Sequence, residues 1–218
     1  MKDSIKRIIT GLVLSFVFWI SIFYAPAYLF SFTLLGILTI ILCFEWRNFF
    51  SPYSPLFWLI MPFYPILPFI FLIYLNQHSD YHQLLLFLFV MVSSYDTGGY
   101  VIGSLIGKHK IAPKISPGKT VEGFFGGCLF SGLSLLLLLY EFDRLKPWWL
   151  IAGITSMICI FACVGDLLES WLKRKANIKD SGFLLPGHGG FLDRFDGILF
   201  AVFFFYLFRD KLVYILLK

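Results

Sequence analysis

The sequence predicts an all-α integral membrane protein, a polytopic helical bundle of about seven transmembrane helices with its N-terminus in the cytoplasm. Apolar residues make up 59% of the 218 residues. Charged residues make up only 14%, against roughly 25% in ordinary soluble domains. The net charge of +5 does not indicate a nucleic-acid partner, because the basic residues collect in short segments beside apolar runs. This composition excludes a soluble globular domain and indicates the lipid bilayer as the surroundings.

A helix needs about 20 apolar residues to cross the hydrocarbon core, and seven runs come close to that length. They are Ile8–Ala25, Ala27–Phe44, Leu56–Leu75, Gln83–Ile106, Phe124–Tyr140, Pro147–Leu168 and Gly197–Leu217. The first run follows basic residues, as a signal peptide does, but its length and the apolar run behind it favour a retained helix. Pro62, Pro65 and Pro68 predict a kink or a break in the third run.

The distribution of basic residues predicts the orientation, since cytoplasmic loops carry an excess of Lys and Arg. With the N-terminus inside, 13 of the 18 basic residues fall on the cytoplasmic side and 5 on the other. The polar loops 107–123 and 169–194 then emerge on the same cytoplasmic face and can form one site. We therefore expect a single domain over residues 1–218, with N-terminal helices in 8–95 and a catalytic portion in 96–218.

Four carboxylates stand at the ends of two predicted helices. Asp166 and Glu169 are three residues apart at the end of one helix, and Asp193 and Asp196 repeat that spacing at the start of the next. Residues three apart share a helix face, and Mg²⁺ binds through one or two carboxylates together with substrate phosphates. Spacing alone leaves two interpretations open, a metal site or ordinary ion pairs with neighbouring bases. Those bases are Lys173, Arg174 and Arg194.

The segment Lys108–Thr120 reads KHKIAPKISPGKT, and its last residues are similar to a phosphate-binding Walker A loop. That motif needs a glycine five residues before Gly118, where this chain has Pro113, and no clear β-strand is predicted before it. We therefore interpret the segment as a basic loop in which Lys119 neutralises phosphate and Ser116 donates a hydrogen bond. The alternative is a loop whose charge only sets the membrane topology.

Three further polar residues stand out. Asp96 lies inside the fourth apolar run, and a carboxylate within a span is a functional candidate by default; the alternative is a packed residue bonded to a nearby serine. His188, in PGHGG, is a candidate for contact with phosphate or metal, with a plain turn histidine as the alternative. Glu45 precedes Arg47 closely enough to predict an ion pair at the membrane interface.

These segments together resemble the phosphatidate cytidylyltransferases, also called CDP-diacylglycerol synthases. The stretch Ser170–Asp196 contains S-W-L-K-R, K-D-S-G, L-P-G-H-G-G and D-R-F-D in the order of that family's C-terminal signature. Asp96–Gly123 and Gly165–Ser170 are similar to the family as well, so that the resemblance covers roughly the C-terminal 60% of the chain. Ser104 departs from the basic residue of many members, and Val121 departs from their tryptophan.

The resemblance implies that CTP and phosphatidate react to give CDP-diacylglycerol and pyrophosphate. It implies Mg²⁺ as the cofactor, with a second cation left open, and a homodimer in the cytoplasmic membrane with its active site facing the cytoplasm. Together with the spacing, it assigns catalysis to Asp166, Asp193 and Lys173. The metal would be bound by Asp166, Asp193, Glu169 and Asp196. The substrates would be bound by Asp96, Ser116, Lys119, Arg174, His188 and Arg194.

Two other functions stay open from the residues alone. Another CTP-dependent membrane enzyme, such as a polyprenol kinase, would need the same basic and acidic groups but would act on a different lipid. An ion transporter would place Asp96 and Asp166 on the ion pathway and would not consume CTP.

Overall fold

The computed structural model describes residue 16, residues 20–21, residues 24–185 and residues 189–218. This part of the chain is predominantly helical. Five of its helices are long and apolar enough to cross a membrane, which confirms the predicted class of polytopic helical membrane protein. The first predicted run, Ile8–Ala25, lies largely outside the described residues. The count of seven spans and the cytoplasmic N-terminus therefore stay predictions.

The first two spans that the structure describes are interrupted helices. Helix α1, Ala27–Phe49, contains a π-helical turn at Ile41–Glu45. Helix α2, Pro55–Gln77, contains another at Pro62–Ile66, where Tyr64 leaves the helical region with φ −153° and ψ 105°. Prolines within a helix remove backbone donors and clash with the preceding turn. The break predicted from the three prolines is thus confirmed.

Helix α3, Ser79–Ile106, is followed by a short antiparallel hairpin and then by helix α4, Val121–Glu141. The hairpin consists of β1, Lys110–Ala112, and β2, Ser116–Thr120. These strands were not predicted from the sequence. The turn of the hairpin is closed by a hydrogen bond of 3.1 Å from the Ile115 N–H to the Ala112 carbonyl. This places Pro113 at the second turn position, where its fixed φ is favoured.

The last helices differ in length from the predicted runs. Helix α5, Trp148–Lys175, extends beyond the predicted end at Leu168, so the first part of the predicted loop 169–194 is helical. Helix α6, Leu192–Leu207, begins before Gly197 and ends well before Leu217. A short helix α7, Arg209–Leu212, and a π-helical turn, Val213–Leu217, complete the chain.

The described chain divides into two compact units. Unit 1 contains the described residues up to His78 together with Leu172–Asp196. Within it, the Asn76 side chain joins α2 to α1, since its amide donates to the Ala27 carbonyl at 2.6 Å and to the Ser31 hydroxyl at 2.8 Å. Asn76 is almost fully buried, and such bonds hold apolar helices together where lipid supplies no hydrophobic force between them.

Unit 2 contains Ser79–Trp171 and Gly197–Lys218, and its centre is the packing of α3 against α4. A Cβ atom added at Gly98 would lie 2.8 Å from the Gly126 carbonyl oxygen, and one added at Gly127 would lie 2.7 Å from the Tyr95 carbonyl oxygen. Only glycine permits this approach of two backbones. Helix α3 continues through Gly98 without a break. The single domain over residues 1–218 stays a prediction.

Candidate active site

In unit 2, the hairpin lysine contacts the first acid of the predicted carboxylate set. Lys119, on β2, forms an ion pair with Asp166, on α5, through its Nζ atom and the Asp166 Oδ2 atom. The two side chains are 21% and 24% exposed, but the Lys119 Nζ atom itself is buried. Sequence analysis predicted that the basic loop and the acidic end of this helix serve one site, and the structure brings these two members together.

The hairpin that carries Lys119 is fastened at its base by Glu122. The Glu122 carboxylate accepts hydrogen bonds from the Lys108 N–H at 3.0 Å and the His109 N–H at 3.2 Å, and it lies 2.6 Å from His109 Nδ1. Thr120 caps α4 by accepting a hydrogen bond from the Gly123 N–H at 3.1 Å, which satisfies one of the unpaired donors at the helix start. These contacts fix the direction in which β2 presents Lys119.

In unit 1, Asp193 lies at the centre of a second cluster. Its Oδ1 atom accepts from Lys173 Nζ at 2.8 Å. Its Oδ2 atom accepts from three donors, the Ser181 N–H at 2.8 Å, the Ser181 hydroxyl at 2.9 Å and the Gly190 N–H at 2.8 Å. Only 6% of the Asp193 side chain and 14% of the Lys173 side chain are exposed. The α5 and α6 ends in this unit are therefore joined by a well-buried ion pair.

The charge state of Asp193 follows from these contacts. Burial acts to raise the pKa of the Asp193 carboxyl, because it disfavours the charged form. The Lys173 ammonium and the hydrogen bonds from Gly190 and Ser181 outweigh burial and hold the pKa below its usual range. Asp193 is thus a carboxylate at neutral pH.

The backbone beside Asp193 requires a glycine. Gly189 has a φ of +81°, in the left-handed region that side chains other than glycine rarely adopt. A Cβ atom there would also lie 2.5 Å from the Asp193 Oδ2 atom. Part of the glycine-rich signature is therefore explained by its close approach to this carboxylate.

Glu45 lies elsewhere than predicted. The expected interfacial pair with Arg47 is wrong, because Glu45 is fully buried and its carboxylate contacts the segment 176–192 between α5 and the start of α6, which we name the signature loop. It accepts from the Phe191 N–H at 2.7 Å, the Leu192 N–H at 2.8 Å and the Ser181 hydroxyl at 3.1 Å. The available signal was an acid within an apolar run, which indicates a functional position by default.

The other predicted site residues are distributed over both units. Asp96 is exposed on α3, Ser116 is half-buried on β2, and Glu169 is fully buried on α5. Arg174 lies in the exposed last turn of α5, with Arg194 and Asp196 in the first turns of α6. His188 lies outside the described residues. The Lys119–Asp166 pair belongs to unit 2 and the Lys173–Asp193 pair to unit 1, and their membership in one site stays a prediction.

The carboxylates differ in how well they fit a Mg²⁺ site. Among the residues that the structure describes, no three or more His, Cys, Asp or Glu side chains are grouped to hold a metal ion. Asp193 is already surrounded by protein donors on both oxygens, whereas Asp166 is partly exposed beside Lys119. A site of one or two carboxylates completed by substrate phosphates is the usual form for Mg²⁺. Of these two carboxylates, Asp166 fits that form better.

Comparison with known proteins identifies the family of this chain. The model of the cytidylyltransferase family matches residues 53–212. A phosphatidate cytidylyltransferase of Staphylococcus aureus (strain COL) is 43% identical over 132 residues, and one of Staphylococcus epidermidis (strain ATCC 12228) is 46% identical over 132 residues. Each alignment covers 61% of this chain and 51% of the relative, so the match spans about half the length of these curated relatives. The family match includes both lysine–aspartate pairs, and the chain belongs to the cytidylyltransferase family.

Proposed function

We propose that this protein transfers the cytidylyl group of CTP to phosphatidate, giving CDP-diacylglycerol and pyrophosphate. The observation that carries the proposal is the ion pair between Lys119 and Asp166, which brings a cation and a carboxylate together between the hairpin and α5. The names of the Staphylococcus relatives supply the substrate class, since both are phosphatidate cytidylyltransferases.

In this reaction a phosphate oxygen of phosphatidate attacks the α-phosphorus of CTP. The bond from that phosphorus to the oxygen bridging to the β-phosphate breaks, and pyrophosphate leaves with that oxygen. A phosphate monoester is largely ionised near neutral pH, because its second pKa is about 6, so a strong general base is unnecessary. The main barrier is the approach of two polyanions, which requires positive charge and fixed orientation.

The residues of this chain supply both requirements. Lys119 contacts a phosphate group of CTP when it turns from Asp166 toward the nucleotide, and Lys173 provides a second ammonium held in place by Asp193. The basic groups of Arg174 and Arg194 add to the positive charge near the ends of α5 and α6. Asp166 is the carboxylate we assign first to Mg²⁺, with Asp193, Glu169 and Asp196 as the further predicted ligands. Bound Mg²⁺ would neutralise phosphate charge during transfer.

The proposed reaction takes place at the membrane surface. The acyl chains of phosphatidate stay in the bilayer while the head group meets the polar segments. We place the protein in the cytoplasmic membrane, with these segments on the cytoplasmic face, and as a homodimer. The excess of Lys and Arg in these segments supports this orientation.

The position of a radioactive label decides between the open functions. The purified protein would be placed in phosphatidylcholine vesicles containing phosphatidate and supplied with Mg²⁺ and CTP. Label at the α-phosphorus should enter the lipid extract, with one pyrophosphate released for each lipid labelled. Label at the γ-phosphorus should stay in water.

Other outcomes contradict the proposal. Transfer of the γ-label to a polyprenol added in place of phosphatidate would indicate a kinase. Ion flux across the vesicle membrane without CTP consumption would indicate a transporter. Vesicles without phosphatidate serve as the control for lipid-independent breakdown of CTP.

A further inference from the structure

Glu45 is the carboxylate in α1 that contacts the signature loop, and it lies outside the residues matched by the family model. Its oxygens accept from the Phe191 and Leu192 N–H groups, which are at the start of α6. These groups have no partners within their own helix, and a negative charge at a helix start is favourable. Glu45 therefore fixes the first turn of α6 from a helix that is distant in sequence.

Helix α1 also contacts Ser181 through two side chains. The Ser181 hydroxyl lies 3.1 Å from the Glu45 Oε2 atom, and the Asn48 side-chain amide donates to the Ser181 carbonyl at 2.8 Å. Glu45 and Asn48 are three residues apart and so share a helix face. Ser181 has no exposed surface, and its position is thus determined by α1.

Ser181 in turn determines the position of Asp193. Its N–H donates to the Asp193 Oδ2 atom at 2.8 Å, and its hydroxyl lies 2.9 Å from the same atom. A hydroxyl carries one hydrogen, so the Ser181 hydroxyl is shared between the Glu45 and Asp193 carboxylates. There is little free space for adjustment, since a Cβ atom at Gly190 would lie 2.6 Å from the Glu45 Cδ atom.

The local helix geometry brings Glu45 to this place. The residue ends the π-helical turn Ile41–Glu45, whose wider winding changes the face on which the following residues project. Such turns occur often at functional sites. A fully buried charge in an apolar helix is costly unless it is well bonded, and here Ser181, Phe191 and Leu192 of the signature loop donate to it.

We infer that Glu45 is a positioning residue for cytidylyl transfer: it holds Ser181 and the first turn of α6, and through them sets the direction of the Asp193 carboxylate and its Lys173 partner. The inference rests on the proposed function. Glu45 itself contacts neither substrate nor metal in this assignment. Its loss should therefore slow the transfer step more than it weakens the binding of CTP.

The test compares Glu45→Gln with the parent protein in the vesicle assay. Glutamine has the same size but only one acceptor oxygen, so at least one donor loses its partner. We expect kcat to fall by about tenfold or more, while KM for CTP changes less than about threefold. Glu45→Asp, which keeps the carboxylate but is shorter, should recover part of kcat. Glu141→Gln, an exposed change of the same chemistry, should behave like the parent.

A second measurement does not depend on activity. Hydrogen–deuterium exchange should rise in the segment 189–195 of Glu45→Gln and stay at the parental level in the other peptides. If the parent makes no lipid-linked nucleotide but this local change occurs, the proposed function fails while the anchoring role stands. Parental kcat together with parental exchange in Glu45→Gln would overturn the inference, as would a rise in exchange throughout the protein.

A third variant covers the case in which Glu45→Gln does not fold. Asn48→Ala removes the hydrogen bond from the Asn48 side chain to the Ser181 carbonyl. Asn48 is exposed, and truncation of an exposed side chain is better tolerated. It should lower kcat by a smaller factor and raise exchange in the same segment. If Glu45→Gln cannot be purified and Asn48→Ala has parental kcat, the inference is wrong.

Discussion

Replacing Lys119 by glutamine tests the proposed contact of this residue with CTP. The side chains of its ion pair with Asp166 are 21% and 24% exposed, and the Lys119 Nζ atom itself is buried. Loss of such a pair should cost more folding free energy than the roughly 1 kcal/mol of a surface pair and no more than the about 3–5 kcal/mol of a fully buried one. A lysine that contacts phosphate makes a charge-assisted bond of about 1.5–3 kcal/mol, equal to roughly ten- to a hundredfold in rate or affinity. Lys119→Gln should thus lose at least about tenfold in activity at limiting CTP and keep a normal protein level.

Lys110→Gln is the matched control, because Lys110 lies on β1 of the same hairpin, is exposed and carries the same charge. Initial rates of label transfer to lipid would be measured for both variants over a range of CTP concentrations. Thermal unfolding in detergent would show whether the two variants are equally stable. If Lys119→Gln matches the parent at limiting CTP, then Lys119 does not bind the nucleotide and the hairpin only sets membrane topology.

Three further predictions follow from the second cluster and from the topology. Asp193→Asn should abolish transfer. Because it breaks the buried pair with Lys173, it should also lower the free energy of unfolding by about 3–5 kcal/mol. A free energy of unfolding equal to that of the parent, measured by denaturant titration, would contradict this. The stabilisation by Asp193 should be present above the ordinary aspartate pKa of about 3.9 and be lost as the pH falls through its lower folded-state pKa. The difference in melting temperature between parent and Asp193→Asn should therefore narrow in acid. Gly189→Ala should lower activity strongly, since its φ of +81° and the Asp193 carboxylate exclude a Cβ atom; a parental rate would refute the close approach. Single cysteines at Lys114 and Lys179, in a chain without native thiols, should not react with a membrane-impermeant thiol reagent in intact cells. Labelling of either position would contradict the predicted topology.

The sequence was sufficient for the features that depend on nearby residues. Long apolar runs predicted the helices, because a run of that length has few ways to satisfy its backbone in lipid except as a helix. Pro62, Pro65 and Pro68 predicted the break in α2, since proline acts on the turn in which it lies. The start of a helix predicted at Asp193 is close to the observed start of α6, whereas Asp166 lies well before the end of α5 at Lys175.

The sequence could not show how far each helix continues or which local alternative is adopted. Helix α5 extends to Lys175 although its last residues are charged, because lysine and arginine are good helix formers. The strands β1 and β2 are short and β2 contains Pro117, so no alternation of apolar and polar residues marks them. They are held by contacts of Glu122 with the start of the hairpin, which lies 13 and 14 residues earlier in the chain.

Only the tertiary structure decided the role of Glu45. A carboxylate in an apolar run is predicted to find a partner, but the sequence does not say which one, and Arg47 was the nearest candidate. The partners are Ser181, Phe191 and Leu192, which are 136 to 147 residues away. Two of them contribute backbone N–H groups, which every residue except proline has, so no side-chain pattern marks them. The sequence determined that a buried acid needs hydrogen-bond donors. The packing of α1 against the signature loop decided which groups donate to it.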